Sequence, residues 1–179
     1  MNIEKLFSTQ ERIAILQNII FEEGELGVNE VAKRVGLSKG LVSKYFEILE
    51  AEGILERKKI KFSISDRKEA KALKIMLNIQ GIDTEIFRRY KFVKAAGLYG
   101  SCAKGTNTES SDIDLWIKIE KAGAEKIAKL TSELRKAIKN VRVLVLDGQK
   151  IATLKKEDTL FYYSLYFGSV IVYGEENAL

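Results

Sequence analysis

Between Gly100 and Ile117 the chain reads GSCAKGTNTESSDIDLWI, and this run restricts the fold more than any other stretch. It begins where an apolar segment, Val93 to Tyr99, ends in a Gly-Ser pair, and it closes on two aspartates separated by one apolar residue. The apolar segment reads as a strand stopped by glycine, and Asp112 to about Ile119 reads as a second strand. Alternation of side chains puts Asp112 and Asp114 on one face, roughly 6–7 Å apart along the backbone. Two carboxylates at that separation suit one or two hard cations such as Mg²⁺. Ser101 and the backbone N–H groups after Gly100 suit the phosphates that such cations accompany. One segment thus points to nucleoside triphosphates as a ligand class and to a chemistry.

The remaining composition narrows the alternatives. A chain of 179 residues accommodates one domain or two small ones. It has no histidine, which rules out His-based metal sites and Ser-His triads, and its single Cys102 cannot form an internal disulfide. No apolar run approaches the roughly 20 residues of a membrane span. With no signal-peptide pattern at the start, the expectation is a cytoplasmic protein. The net charge of +5 is uneven: residues 1–66 carry a net −1 and residues 67–179 a net +6. DNA binding by the first third therefore depends on cations gathered on one face, not on bulk charge.

That first third has helical punctuation. Ser8 followed by Glu11 has capping-box spacing and opens a helix with Ile13, Leu16, Ile19 and Ile20 on one stripe. Asn29 to Val35 reads as a second helix burying Val31, Ala32 and Val35, with Gly36 supplying the turn. Ser38 caps a third, in which Leu41, Val42, Tyr45 and Leu49 face inward, and Gly53 stops it. The period then switches to alternation: Ile54-Leu55 begins one strand, and Ile60, Phe62 and Ile64 mark another, with Arg57, Lys58 and Lys59 at a hairpin tip. Three helices and a basic-tipped ribbon over residues 8–65 resemble the winged helix-turn-helix family. The resemblance implies that the third helix enters the major groove of double-stranded DNA with Lys39, Gly40, Ser43, Lys44 and Glu47 outward. Lys39, Ser43 and Lys44 would contact phosphate or bases, and Lys58, Lys59 and Lys61 on the wing would neutralise phosphates. A solvated lysine face serving protein contacts or dimerisation is the competing reading, and Glu47, Glu50 and Glu52 favour it.

Lys68 to Gln80 reads as an amphipathic connector helix with Leu73, Met76 and Leu77 on its apolar side. Asp83 caps a further turn or two carrying Ile86, Phe87 and Tyr90. The expected organisation is α+β: a winged helix-turn-helix domain at 1–66, then an α/β domain at 67–179 with a small mixed sheet, its connector helices at 67–92. In the second domain a helix follows the aspartate strand, with Ile127, Leu130, Leu134, Ala137 and Ile138 inward and Lys126, Lys129, Lys136 and Lys139 solvated. Val141 to Leu146 is a strand, Asp158 to Phe167 a helix, and Val170 to Tyr173 a last strand.

Gly100-Ser101, Gly105, Ser111-Asp112 and Asp114 together resemble the signature of the DNA polymerase beta-like nucleotidyltransferases, most closely their small minimal domains. The resemblance spans about residues 67–174. It implies that Gly100 and Ser101 meet a phosphate and that Asp112 and Asp114 hold Mg²⁺ or Mn²⁺, in a site whose two cations would lie roughly 3.5–4 Å apart. It implies transfer of a nucleoside monophosphate from a nucleoside triphosphate to an acceptor, with Lys104 placed to neutralise phosphate or simply solvated. Cys102 reads as a packing residue. A small helical partner protein is a further implication, and a homodimer through the first helix or helix 68–80 is compatible with the winged-helix half.

One position departs from the pattern. Active members usually carry a third carboxylate on the next strand, and by placement it falls at Arg142. An arginine neither ligates a cation nor acts as a base; beside two aspartates it neutralises them or binds phosphate. Asp147 lies five residues further on, about 16 Å of extended chain and on the opposite face. Two readings follow: a metal-dependent transferase with a DNA-binding module, or a DNA-binding transcriptional regulator whose degenerate transferase domain binds only nucleotide or a partner protein.

Overall fold

The computed structural model describes residues 1–175 and 179. It divides into two compact units, Met1–Leu77 with Gly105–Ser110, and Asn78–Lys104 with Ser111–Leu179. The division falls inside the 68–80 helix, about three turns beyond residue 66, because that helix buries Ala70 and Leu73 in the core of the first unit.

In the first unit α1 (Ile3–Phe7), α2 (Gln10–Ile19), α3 (Val28–Val35) and α4 (Lys39–Ala51) precede a ribbon of β1 (Leu55–Lys58) and β2 (Lys61–Ile64) and the long α5 (Lys68–Gln80). Leu6, Ile15, Leu16, Ile19, Val42, Phe46, Leu49 and Phe62 fill one core, and the buried Tyr45 hydroxyl donates to Leu6 O at 3.0 Å. Gly36 (φ +70°) closes α3, and Ser38 caps α4 by accepting from Leu41 N. The ribbon gains a third member through the bridge between Leu26 and Phe62.

Residues 105–110 pack into this unit. Gly105 (φ +67°) comes so close to α5 that a Cβ would sit 2.2 Å from Lys71 O. Lys74 Nζ, on a buried side chain, donates to Asn107 O at 2.8 Å, and the Thr108 and Ser110 hydroxyls donate to Glu23. Burial lowers the Lys74 pKa, and the charges of Asp66 and Glu23 oppose that shift.

The second unit has α6 (Glu85–Arg88), β3 (Val93–Leu98), α7 (Gly100–Lys104), β4 (Ile113–Ile119), α8 (Ala124–Ala137), β5 (Val141–Leu146), α9 (Gly148–Glu157), α10 (Thr159–Gly168) and β6 (Val170–Gly174). Its four-stranded mixed sheet runs β5-β4-β3-β6. β3 is antiparallel to both neighbours, while β4 and β5 are parallel and joined through α8. Strand alternation sorts the side chains onto two faces. Leu115, Ile117 and Ile119 pack with Phe87, Leu130 and Leu134 on one, and Trp116 and Leu146 pack with Ile151, Tyr162 and Leu165 on the other. Trp116 packs against Gly97, where a Cβ would meet its ring at 2.6 Å, and its Nε1 donates to Ser169 Oγ at 2.8 Å.

Several local expectations are corrected. The cap of α2 is Thr9, accepting from Arg12 N, because Ser8 terminates α1, a helix the sequence reading missed. The buried stripe of α2 uses Ile15 where Ile13 was expected, and Leu41 and Val35 are only partly buried. Arg57 belongs to β1, not to the hairpin tip: the tip is Lys59-Ile60, with Lys59 at φ +59° and Ile60 fully in solvent. Met76 and Ala137 are exposed. Residues 148–157, given no element from sequence, form α9.

Candidate active site

The site forms where the chain leaves β3, turns through α7 and enters β4. Gly100 adopts φ +65°, and a Cβ built on it would lie 2.6 Å from Asp114 Oδ2. Only glycine lets that carboxylate come so close to the turn, and glycine also meets the left-handed backbone without strain. Tyr99 N donates to Asp114 O at 3.0 Å, which fixes the start of β4 against the turn. Ser101 follows in α7 and is partly exposed, Lys104 is exposed at its far end, and Ser111 directly precedes Asp112. Cys102 is buried with its Sγ 3.6 Å from Asp112 O, and burial pushes its thiol pKa up. A thiol held neutral in that way packs the turn and is a poor nucleophile.

Asp112 stands one residue before β4, and Asp114 is the second residue of the strand. Asp114 shares the Trp116 face by alternation, and Arg142, the parallel-register partner of Asp114, shares that face with Leu144 and Leu146. Arg142 Nη2 donates to Asp112 Oδ2 at 2.6 Å. Burial raises the Asp114 carboxyl pKa, the Arg142 guanidinium pulls it down, and the negative charge of Asp112 adds to the rise. Tyr99, which packs edge-on to Phe161 at 6.3 Å, belongs to the same cluster: burial and Asp114 raise its hydroxyl pKa while Arg142 lowers it. The sequence reading placed Tyr99 only as a strand end; its position immediately before Gly100 was the available signal.

The structure therefore brings Gly100, Asp112, Asp114 and Arg142 together, with Ser101 and Ser111 adjacent in the chain. Gly105 lies in the first unit, where its close approach to α5 accounts for the glycine. Asp147 does not supply a third carboxylate: it is the N-cap of α9, its Oδ1 accepting from Lys150 N at 2.8 Å. Among the described residues, no three His, Cys, Asp or Glu side chains are grouped to hold a metal ion. Asp112 and Asp114 present two hard carboxylates to any cation that would bind here. That set suits Mg²⁺ or Mn²⁺, whose remaining positions water and substrate phosphate would fill.

The helix-turn-helix residues are arranged as a second surface in the first unit. Lys39 and Lys44 are exposed on α4 and Ser43 is half-buried between them. Lys58, Lys59 and Lys61 are exposed along the ribbon, with Lys61 Nζ 3.6 Å from Glu25. Two of the three acidic residues that weakened the DNA reading are occupied: Glu50 accepts from Arg57 at 2.9 Å and Glu52 from Asn2 N at 2.6 Å. No described helix is long and apolar enough to cross a membrane.

Comparison with known proteins follows the same division. Residues 12–56 match the winged helix-turn-helix DNA-binding family, and residues 83–177 match the polymerase beta nucleotidyltransferase family. No curated protein matches the chain in sequence. Similar solved structures include a toxin–antitoxin complex, MntA–HpeT, at 16% identity, covering 52% of this chain and 71% of that one with a TM-score of 0.39. A Sulfolobus solfataricus protein assigned as a nucleotidyltransferase is 18% identical over 59% of this chain and 85% of its own, with a TM-score of 0.37. The tri-AMPylated HEPN toxin of Shewanella oneidensis in complex with MNT antitoxin gives 14% identity, 60% and 75% coverage and a TM-score of 0.34. With a family match over more than half its length and the Gly-Ser and Asp-x-Asp elements side by side in the fold, the chain belongs to the polymerase beta nucleotidyltransferase family and carries an N-terminal winged helix-turn-helix.

Proposed function

We propose that the second domain transfers a nucleoside monophosphate from a nucleoside triphosphate to a hydroxyl acceptor, and that the winged helix-turn-helix binds double-stranded DNA. The observation that supports this most directly is the seating of Asp114 against Gly100, which sets that carboxylate at the Gly-Ser turn with a second, Asp112, close enough to act on its charge. In the reaction the acceptor hydroxyl oxygen bonds to the α-phosphorus and gives up its proton to solvent, the bond from that phosphorus to the β-phosphate bridge breaks, and pyrophosphate leaves. Asp112 and Asp114 would hold a divalent cation, which neutralises phosphate charge when bound. Ser101 and Ser111 would orient phosphate oxygens, Lys104 would add positive charge at the rim, and Gly100 keeps the approach clear. On the DNA side, Lys39, Ser43 and Lys44 would meet the duplex from α4, and Lys58 and Lys59 from the wing.

A second reading has its own observation: the Arg142–Asp112 ion pair stands where a third carboxylate would complete a metal site. In that reading the domain binds nucleotide without transferring it, and the protein is a DNA-binding regulator. Incubating the full chain with Mg²⁺, α-labelled nucleoside triphosphates and protein, RNA and small hydroxylated acceptors separates the two. Label transfer with pyrophosphate release is the expected result. Nucleotide binding without transfer selects the second reading, and neither binding nor transfer sinks the transferase and leaves of the second reading only a domain that binds a partner protein.

A further inference from the structure

We infer that Arg142 is a resident counter-cation that pairs with Asp112 and exchanges it for the phosphates of an incoming nucleotide. The inference rests on reading Asp112 and Asp114 as the cation-holding pair. Its direct support is the 2.6 Å bond from Arg142 Nη2 to Asp112 Oδ2, together with the register that sets Arg142 beside Asp114. A cation and the guanidinium compete for the same carboxylate oxygen, because an oxygen that accepts a charged hydrogen bond directs less lone-pair density to a metal. The pair is open to solvent: the Arg142 side chain is 71% exposed and that of Asp112 38%. Ion pairs at that exposure hold weakly. A triphosphate offers a planar fork several anionic oxygens against the single carboxylate it holds now, and guanidinium pairs bidentately with phosphate.

Two linked effects follow. The bound guanidinium weakens nucleotide-free cation binding, and the same guanidinium strengthens metal-free phosphate binding. Nucleotide that draws Arg142 away frees Asp112, so nucleotide and cation each raise the other's affinity by the same factor. Arg142 is here a phosphate-binding residue, in a place where a third carboxylate would have favoured cation binding with or without nucleotide.

The experiment compares the full-length protein with Arg142→Gln in two titrations without turnover. Mn²⁺ alone, followed by electron paramagnetic resonance, is expected to bind the variant more tightly by about two- to fivefold, the range spanned by an exposed ion pair. Inorganic tripolyphosphate in EDTA, followed by calorimetry, is expected to bind the variant on the order of fivefold more weakly. Arg142→Lys, which keeps the charge and loses the fork, should fall between the two proteins in the second titration. A gain in one ligand with a loss in the other, together with a loss of tripolyphosphate affinity in Arg142→Lys although its charge is kept, is the signature of one guanidinium serving both, and a lysine variant that binds tripolyphosphate like the parent overturns the inference in favour of charge alone. Equal Mn²⁺ affinity in the two proteins, or tripolyphosphate affinity untouched by the substitution, overturns the inference and leaves the carboxylate pair standing. Absence of Mn²⁺ binding in both proteins overturns the inference and the underlying reading of Asp112 and Asp114.

Discussion

Gly100 carries two demands at one position. Its φ of +65° is a conformation that costs an L side chain roughly 1–2 kcal/mol, and its missing Cβ is the space into which Asp114 Oδ2 projects, 2.6 Å from where that carbon would be. The first demand concerns stability and the second concerns the site. Gly100→Ala is therefore expected to lower stability by about 1–2 kcal/mol and to weaken Mn²⁺ binding more than tenfold by pushing the Asp114 carboxylate aside. Paired thermal melts and Mn²⁺ titrations check this. A variant that melts early yet binds Mn²⁺ like the parent would show that the glycine serves the turn alone. The sequence made the pairing of Gly100 with the aspartates visible as a motif, but not the contact between them, because that contact depends on β3 and β4 being adjacent and antiparallel.

At the scale of elements, legibility followed the strength of periodicity and punctuation. Helix α5 and strand β5 match their expected limits because each has a clear apolar pattern and clean ends. Helix α9 was missed because it buries only Ile151 fully, with Leu154 partly covered, so its apolar stripe is two residues long. Its start is nevertheless signalled by Asp147, whose carboxylate suits an N-cap as well as a metal ligand. The same side chain reads differently once its acceptor role toward Lys150 N is known. As an N-cap, Asp147→Ala should cost about 1 kcal/mol of stability and leave Mn²⁺ and nucleotide affinity unchanged. A fall in Mn²⁺ affinity without a fall in melting temperature would instead return Asp147 to the site. The wing shows the converse error: three basic residues in a row looked like a tip, yet Arg57 is turned back onto Glu50 and over the Phe62 ring at 4.5 Å.

For the molecule as a whole, net charge and local charge give different expectations about DNA. The chain is basic at +5, but residues 1–66 are slightly acidic, and exposed lysines also line α8 in the other domain. Binding driven by bulk charge would engage the second domain, whereas binding through the winged helix would use Lys39, Lys44, Lys58 and Lys59. Lys61 contributes less because Glu25 lies 3.6 Å from it, and Arg57 contributes less because Glu50 holds it. If those four lysines each neutralise one phosphate, log K for duplex DNA should fall against log salt with a slope of about −3.6 per chain. Replacing Lys58 and Lys59 by alanine should then bring the slope to about −1.8. Both residues are exposed and lie at the end of the ribbon, so the fold should survive the change. Fluorescence anisotropy over a salt series measures both slopes. A slope that stays the same in the double variant would place the phosphate contacts off the wing, and the lysines of α8 would then be the next to replace.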